Sequence, residues 1–141
     1  MKILLAVDGS PYTKKMLAYL TTHMDMFAGK GHEFTALAVQ PVLPARARSL
    51  MSTQEVAAYY TEEAEKVLGP VATFLEQRAL NVKRQAEIGL AGDVIATYAA
   101  EGKYELIIMG SRGNGALAGL VMGSVATRVL AKCDVPVLLV R

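Results

Sequence analysis

The chain has 141 residues and a net charge of +2, from 15 Lys and Arg against 13 Asp and Glu. This length predicts a single domain, residues 1–141, with a core of its own. The weak, scattered basic excess argues against nucleic acid as a partner, and the one cysteine, Cys133, excludes an internal disulfide framework. No apolar run approaches the ~20 residues of a membrane span. We therefore expect a cytoplasmic domain with no membrane insertion.

Short apolar runs alternate with longer helical patterns along the chain. Residues 3–7 predict a strand, which ends at the turn signal of residues 8–11. Ser10 and Pro11 are the residue types of a helix N-cap and first helical position. A helix is therefore predicted from this point to about Ala28.

The middle of the chain contains a second strand and an irregular connection. The glycines of residues 29–31 are expected to end the first helix, and residues 34–39 predict a strand. Residues 41–52 contain two prolines and no clean period, so they are predicted to form a mobile connection.

A long helix is predicted from Thr53, because apolar residues then recur on one helical face. Gly69-Pro70 interrupts that face, which predicts a kink near Lys66. Residues 82–88 carry three charges and suit a strand at the edge of a sheet. A short helix is predicted over residues 93–100.

The last part of the chain repeats the same alternation. Residues 106–109 predict a buried strand, residues 125–131 a helix, and the stretch from Val135 to Val140 a final strand. Strands that are apolar on both faces and separated by helices indicate a parallel sheet with helices on both sides. The predicted fold class is therefore α/β.

The most informative stretch is residues 110–124, which hold five of the chain's twelve glycines. The stretch follows a buried strand and precedes a helix, where an open α/β sheet binds ligands. Glycines let the backbone approach a ligand closely, so that successive N–H groups converge on an anion. Gly123-Ser124 opens the last helix, whose unpaired N–H groups favour a phosphate. The alternative is a glycine-rich loop that binds nothing.

Two common nucleotide motifs fit this stretch poorly. A Walker P-loop requires a lysine after its second glycine, and none stands there. Gly113-x-Gly115-x-x-Ala118 has the dinucleotide spacing, but it follows the fourth strand and its acidic partner would fall near Arg141. These departures argue against both motifs.

The spacing Gly110-x2-Gly113-x9-Gly123-Ser124 resembles that of the universal stress protein family, in its ATP-binding branch. Residues 6–10 after the first strand and 136–140 at the end also resemble that family, so the likeness covers the whole chain. The resemblance implies a Rossmann-like, open five-stranded parallel sheet of order 3-2-1-4-5 with helices on both faces. It also implies an ATP site and a homodimer formed through the last strand, from Val135 to Val140.

The resemblance also assigns an ATP site residue by residue. It places the end of the first strand beside the ribose and phosphates, the end of the second strand beside the adenine, and the glycine-rich stretch around the phosphates. The residues that match are Ala6, Val7, Asp8, Val39, Met109, Gly110, Ser111, Arg112, Gly113, Gly123, Ser124 and Val125.

Three of these assignments have alternatives in the sequence. Asp8 is expected either to lie near the phosphates and a bound Mg²⁺ or to form an Asx-turn before the first helix. Val39 either lines the adenine through its backbone or is ordinary strand core. Arg112 either pairs with phosphate or is solvated on its loop.

The leading functional hypothesis is an ATP-binding, dimeric regulatory or stress-response protein that acts on an unknown protein partner. Slow or absent hydrolysis is expected, because the sequence shows no P-loop lysine, arginine finger or evident catalytic base. One alternative is an ATP hydrolase or adenylyl-transfer enzyme that uses Asp8 and Mg²⁺. Another is an interaction module that binds no nucleotide.

Overall fold

One parallel sheet of five strands organises the computed structural model, which describes residues 1–27, 31–115 and 117–141. The strand order is β3-β2-β1-β4-β5, which confirms the expected order. Ala6 of β1 pairs with Leu37 of β2 on one side and with Met109 of β4 on the other. The strands are β1 (Lys2–Ala6), β2 (Glu33–Gln40), β3 (Val82–Ile88), β4 (Leu106–Gly110) and β5 (Val137–Val140).

Helices cover both faces of the sheet. Helices α1, α2 and α4 contribute to the hydrophobic cluster on one face, and α5 and α6 contribute to the cluster on the other. The helices are α1 (Pro11–Thr22), α2 (Met24–Phe27), α3 (Ala45–Ser49), α4 (Thr53–Glu76), α5 (Ala91–Glu101) and α6 (Ser124–Lys132). Within the described residues, no helix combines the length and apolarity needed to cross a membrane.

The central strands are apolar throughout because each of their faces packs against a helical layer. In β1, Ile3 and Leu5 belong to the cluster on the α1 and α4 side, whereas Leu4 and Ala6 belong to the opposite cluster. In β4, Ile108 and Ile107 divide between the two clusters in the same way. Alternation of side chains along a strand thus turns one apolar run into two cores.

Local signals fix where the helices begin. Ser10 caps α1, since its hydroxyl accepts a hydrogen bond from the Tyr12 N–H at 3.3 Å. At the start of α4 the Ser52 hydroxyl accepts from the Glu55 N–H at 3.1 Å, and the Glu55 carboxylate accepts from the Ser52 N–H at 2.7 Å. This reciprocal cap satisfies two otherwise unpaired backbone donors, and it confirms the predicted start at Thr53.

The first helix is shorter than predicted. Helix α1 ends at Thr22 instead of near Ala28, and His23 takes the C-cap position before the separate helix α2. The His23 ring stacks on Tyr19 at a centroid distance of 4.1 Å, and the His23 N–H donates to the Tyr19 carbonyl at 3.0 Å. Ala28 and the predicted stop over residues 29–30 lie outside the described residues.

The prediction of a mobile connection over residues 41–52 is wrong for its centre, which forms helix α3. The Arg48 N–H donates to the Pro44 carbonyl at 3.0 Å, and the Ser49 hydroxyl donates to the Arg46 carbonyl at 2.8 Å. No residue of α3 is buried. A helix without a buried face has no apolar period, so periodicity did not reveal it.

Other boundaries shift by a few residues. Helix α5 begins at Ala91, two residues before the predicted Asp93, and β5 begins at Val137 instead of Val135. Helix α4 continues to Glu76, so the Gly69-Pro70 pair does not end it. Strand β3 does lie at the sheet edge, as its charges suggested.

Candidate functional site

The carboxyl ends of β1, β2 and β4 open onto a cavity of about 420 Å³. A cavity at this edge of a parallel sheet, between strands whose connections run in opposite directions, is the expected ligand site of an open α/β fold. Its volume falls in the range of small-molecule sites. The lining residues are Ala6, Val7, Asp8, Thr13, Leu37, Val39, Ala91, Ile95, Met109, Gly110, Arg112, Gly113, Asn114, Gly115, Leu117, Leu120, Gly123, Ser124, Val125 and Ala126.

One end of the cavity is apolar. Leu37 and Val39 of β2 and Ile95 of α5 line this end, and they share one hydrophobic cluster with Met109 of β4. Aliphatic walls of this kind suit a flat ring system better than a charged group, because a charge would lose its hydration there without compensation. The apolar end can therefore accommodate a flat ring.

The backbone of Val39 offers polar groups at this apolar end. The Leu37 carbonyl accepts from the Val7 N–H at 3.0 Å, and the Gln40 carbonyl accepts from the Gly89 N–H at 2.9 Å. Backbone groups along a strand alternate in direction, so those of Val39 face the β1 side, where β1 has already ended at Ala6. The Val39 N–H and carbonyl are thus directed at the cavity edge and away from β3.

The opposite end of the cavity is built from backbone and small side chains. Residues 112–115, which follow β4, line this end, and Gly123 is the N-cap of α6. Gly123 makes no side-chain capping bond, so the cap leaves the first-turn N–H groups of α6 without a side-chain partner. A helix N-terminus carries a partial positive charge and favours an anion. This end is suited to phosphate.

Asp8 joins the first helix to the glycine-rich loop. Its Oδ1 accepts from the Ser10 N–H at 3.0 Å and from the Thr13 hydroxyl at 2.9 Å. Its Oδ2 accepts from the Asn114 N–H at 3.1 Å. The first of these bonds is the Asx-turn expected from the sequence, and the last is a long-range contact that the sequence did not suggest.

Two glycines of the motif are required by close packing around Asp8 and α1. A Cβ on Gly110 would lie 2.6 Å from the Cβ of Tyr12, and a Cβ on Gly113 would collide with Oδ2 of Asp8. A Cβ on Gly115, in contrast, meets nothing within 4 Å. The glycine spacing therefore has a steric basis in the protein itself, in addition to any ligand it accommodates.

Eleven of the twelve site residues assigned from the sequence line the cavity, and Ser111 does not. Ser111 is only 3% exposed and acts through its backbone. Its N–H donates to the Val140 carbonyl at 2.8 Å, and its carbonyl accepts from the Gly123 N–H at 2.7 Å. Ser111 thereby ties β4 to β5 and fixes where α6 begins.

Arg112 lies against the aromatic ring of Tyr12. Its guanidinium carbon is 5.2 Å from the ring centroid, a cation–π distance. The Nε atom is buried and has no hydrogen-bond partner among the described residues. Arg112 is therefore partly packed at the phosphate end of the cavity, and it is the one cationic side chain among the lining residues.

Helices α5 and α6 pack tightly to form one wall. A Cβ on Gly92 would lie 2.6 Å from the Cβ of Arg128. The Arg128 guanidinium bonds both carboxylate oxygens of Asp93, at 2.7 and 3.1 Å. These hydrogen bonds hold the pKa of Asp93 below its ordinary value. The ion pair links the first turn of α5 to α6 beside the cavity.

Sequence reasoning missed several lining residues. Asn114 and Gly115 lie inside the glycine-rich stretch of residues 110–124, but the sequence motif does not assign them to the site. Thr13 and Ile95 lie on helices far from the motif, and only the folded arrangement brings them to the cavity. The lining residues that were not assigned are Thr13, Leu37, Ala91, Ile95, Asn114, Gly115, Leu117, Leu120 and Ala126.

Carboxylates are sparse at the site. Asp8 is the one acidic side chain among the lining residues, and the described part of the chain contains no group of three His, Cys, Asp or Glu side chains that could hold a metal ion. Mg²⁺ is commonly held by one or two carboxylates plus substrate phosphates. The site therefore fits a cation that is bound mainly by a nucleotide and touches Asp8.

Comparison with known proteins agrees with this architecture. The model of the universal stress protein family matches residues 1–141. The solved structure of MJ0577 from Methanocaldococcus jannaschii superposes with a TM-score of 0.82 at 28% identity, covering 99% of this chain and 94% of that one.

Two more distant structures of the family hold nucleotides. A family member from Arabidopsis thaliana, solved with AMP bound, has a TM-score of 0.71 and 15% identity over 99% of this chain and 90% of its own. A universal stress protein solved in complex with cAMP has a TM-score of 0.65 and 18% identity over 100% and 97%. These two similarities show the same fold. The family is shown by the match of the universal stress protein family model to residues 1–141. The chain belongs to the universal stress protein family.

Proposed function

We propose that this protein binds ATP in the cavity at the carboxyl ends of β1, β2 and β4 and acts as a dimeric regulatory or stress-response module. The observation that carries the proposal is the division of one cavity into an apolar end beside Val39 and a phosphate-suited end at the start of α6. AMP and cAMP in two family relatives are consistent with an adenine nucleotide. The free Cys133 suits a reducing compartment, and we place the protein in the cytoplasm.

The backbone of Val39 supports adenine as the base. Its N–H and carbonyl are directed at the edge that β1 vacates beyond Ala6. Adenine carries an acceptor at N1 beside a donor at its 6-amino group, so it complements one N–H and one carbonyl. Guanine carries a donor at N1 and an acceptor at O6, which reverses both partners.

We expect ATP to bind at least about tenfold more tightly than GTP, because GTP would leave two buried polar groups unpaired at a cost of ~1–3 kcal/mol each. Calorimetric titration of both nucleotides with Mg²⁺ measures the ratio. Equal affinities would show that the Val39 backbone does not recognise the base.

The charge balance of the cavity supports a role for Mg²⁺. Asp8 and Arg112 are the charged lining side chains, and their charges cancel. The triphosphate must then be neutralised by the α6 N-terminus, the loop N–H groups and a cation. Mg²⁺ held by the phosphates and by Asp8 would supply that positive charge.

The most direct test of the proposed function is to denature freshly purified protein and identify any released nucleotide by chromatography. Calorimetric titration of the stripped protein with AMP, ADP and ATP then ranks the phosphate chain lengths. We expect affinity to rise with the number of phosphates when Mg²⁺ is present. Absence of binding by all three would refute the proposed function.

Homodimer formation through the last strand is part of the proposal. Strand β5 is the edge strand next to β4, and Val137, Leu138 and Leu139 are only partly buried. The Pro136 carbonyl accepts a hydrogen bond from the Ile107 N–H of β4, and the Val140 carbonyl accepts one from the N–H of Ser111, which directly follows β4. Since backbone groups alternate, those of Leu139 face outward and are free to pair with a second chain.

We expect a dimer by light scattering at micromolar concentration, with or without ATP. Leu139→Pro should shift the protein toward the monomer, because it removes an outward N–H without removing a bond to β4. Circular dichroism checks that the variant is folded. A wild-type monomer would contradict this prediction.

A further inference from the structure

The glycine-rich loop between β4 and α6 is held at its two ends by backbone bonds. At its start the Ser111 N–H donates to the Val140 carbonyl at 2.8 Å, and at its end the Gly123 N–H donates to the Ser111 carbonyl at 2.7 Å. The described residues between these ends are 112–115 and 117–122. Two hydrogen bonds join them to a part of the chain outside the loop, and in both of them Asn114 donates to Asp8.

The two bonds from Asn114 form a paired contact. The Asn114 N–H donates to Oδ2 of Asp8 at 3.1 Å, and its side-chain Nδ2 donates to the Asp8 carbonyl at 2.8 Å. Asp8 is itself fixed, because its Oδ1 accepts from Ser10 and Thr13 and its own N–H donates to the Thr13 hydroxyl at 3.0 Å. Asn114 thus connects the loop to the rigid start of α1.

Among the described residues of this loop, apolar packing is concentrated at Met122, which lies next to Gly123 and packs against the cluster on the α5 and α6 side. Leu117 is 70% exposed and Val121 is 74% exposed, so neither gains much by packing. Segments with few buried contacts open locally at low free energy. The bonds of Asn114 therefore weigh heavily in the balance between a closed and an open loop at the phosphate end of the cavity.

We infer that Asn114 is a positioning residue that latches the loop across the phosphate end and sets the rate of nucleotide exchange. This inference rests on the proposed nucleotide site. It assigns Asn114 a role in the rate of nucleotide exchange. Breaking the latch lets a nucleotide enter and leave faster. Because the side-chain donor of Asn114 is engaged by the Asp8 carbonyl, we expect the rates of entry and exit to change together and the affinity to change little.

The test compares two variants with a matched control. Asn114→Ala removes the side-chain donor, and Asn114→Asp keeps its shape but replaces the donor with an acceptor opposite the Asp8 carbonyl. Asn81→Ala makes the same chemical change at an exposed site away from the cavity. Each protein is studied by hydrogen exchange of residues 113–115 without ligand and by stopped-flow binding of a fluorescent ATP analogue.

We expect hydrogen exchange to speed up by about fivefold in Asn114→Ala, the worth of one hydrogen bond, and by more in Asn114→Asp. Association and dissociation rates should both rise by about fivefold, while the dissociation constant changes by less than about twofold. Asn81→Ala should behave like the wild type in both measurements.

Unchanged hydrogen exchange in Asn114→Asp would overturn the latch. A rise in the dissociation rate alone would also overturn it, since that pattern indicates direct contact between Asn114 and the nucleotide. If wild-type protein does not bind the analogue, the proposed function fails. The hydrogen-exchange comparison in ligand-free protein still decides whether Asn114 holds the loop.

Discussion

Replacing Gly113 by alanine is expected to weaken ATP binding at least about fivefold, while the same replacement at Gly115 changes it by about twofold or less. A Cβ at position 113 would collide with Oδ2 of Asp8, whereas a Cβ at position 115 meets nothing within 4 Å. Neither glycine has a positive φ, so the contrast isolates the steric effect from backbone strain.

The collision at Gly113 must be relieved by moving either Asp8 or the loop. Asp8 accepts bonds from Ser10, Thr13 and Asn114, so moving it disturbs the start of α1 as well as the loop. Overpacking of this kind costs ~1–3 kcal/mol, which corresponds to a loss of about five- to 150-fold when it is expressed in binding. Gly113→Val, with a larger side chain, should lose more.

Calorimetry of both alanine variants with ATP and Mg²⁺ makes the comparison, and thermal unfolding followed by circular dichroism confirms that each is folded. Gly110→Ala serves as a structural reference, because its Cβ would lie 2.6 Å from the Cβ of Tyr12 and should lower stability directly. Equal ATP affinities in folded Gly113→Ala and Gly115→Ala would show that the collision with Asp8 does not reach the nucleotide site.

The sheet could be predicted because each strand leaves a local trace in the sequence. β1 and β4 are continuous apolar runs, since both of their faces are buried. β3 is charged because it lies at an edge, where Lys83 pairs with Glu33 and Arg84 with Glu65 on the surface. The strand order, in contrast, came from the family resemblance and not from any of these patterns.

Features fixed by distant contacts could not be read from local patterns. Helix α3 buries no residue and so has no apolar period. The sequence offered two interpretations of Asp8, and the Asx-turn is now visible, but the bond to Asn114 joins residues 106 positions apart. Ser111 fits the motif spacing but does not line the cavity; it is buried, and its backbone groups bond Val140 and Gly123.

The second large effect concerns catalysis, for which we expect ATP turnover far below about 1 s⁻¹, the lower end of ordinary enzymes. Rapid hydrolysis requires a group that orients the attacking water and positive charge where the transition state becomes more negative. Asp8 is the one carboxylate among the lining residues, and its two oxygens already accept three hydrogen bonds. Arg112 lies against Tyr12.

Asp8→Asn should therefore lower ATP affinity. Its effect on the rate of hydrolysis should be small, because the wild-type rate is already expected to be low. An amide at this position supplies only one acceptor oxygen, so either the Ser10 N–H or the Asn114 N–H loses its partner. The variant also lacks the negative charge that a phosphate-bound Mg²⁺ would meet. We expect a loss of affinity of at least about fivefold with Mg²⁺, from ~1–3 kcal/mol per unpaired group, and a smaller loss in EDTA.

Release of ADP and AMP over time, measured beside calorimetry in Mg²⁺ and in EDTA, separates binding from turnover. The regulatory proposal requires slow wild-type release and an Asp8→Asn variant impaired mainly in binding. Wild-type turnover above about one per second, abolished by Asp8→Asn with affinity preserved, would contradict it. Asp8 would then be a catalytic group, and the hydrogen bonds that now engage its oxygens would have to rearrange when ATP binds, so that one oxygen is free to orient water.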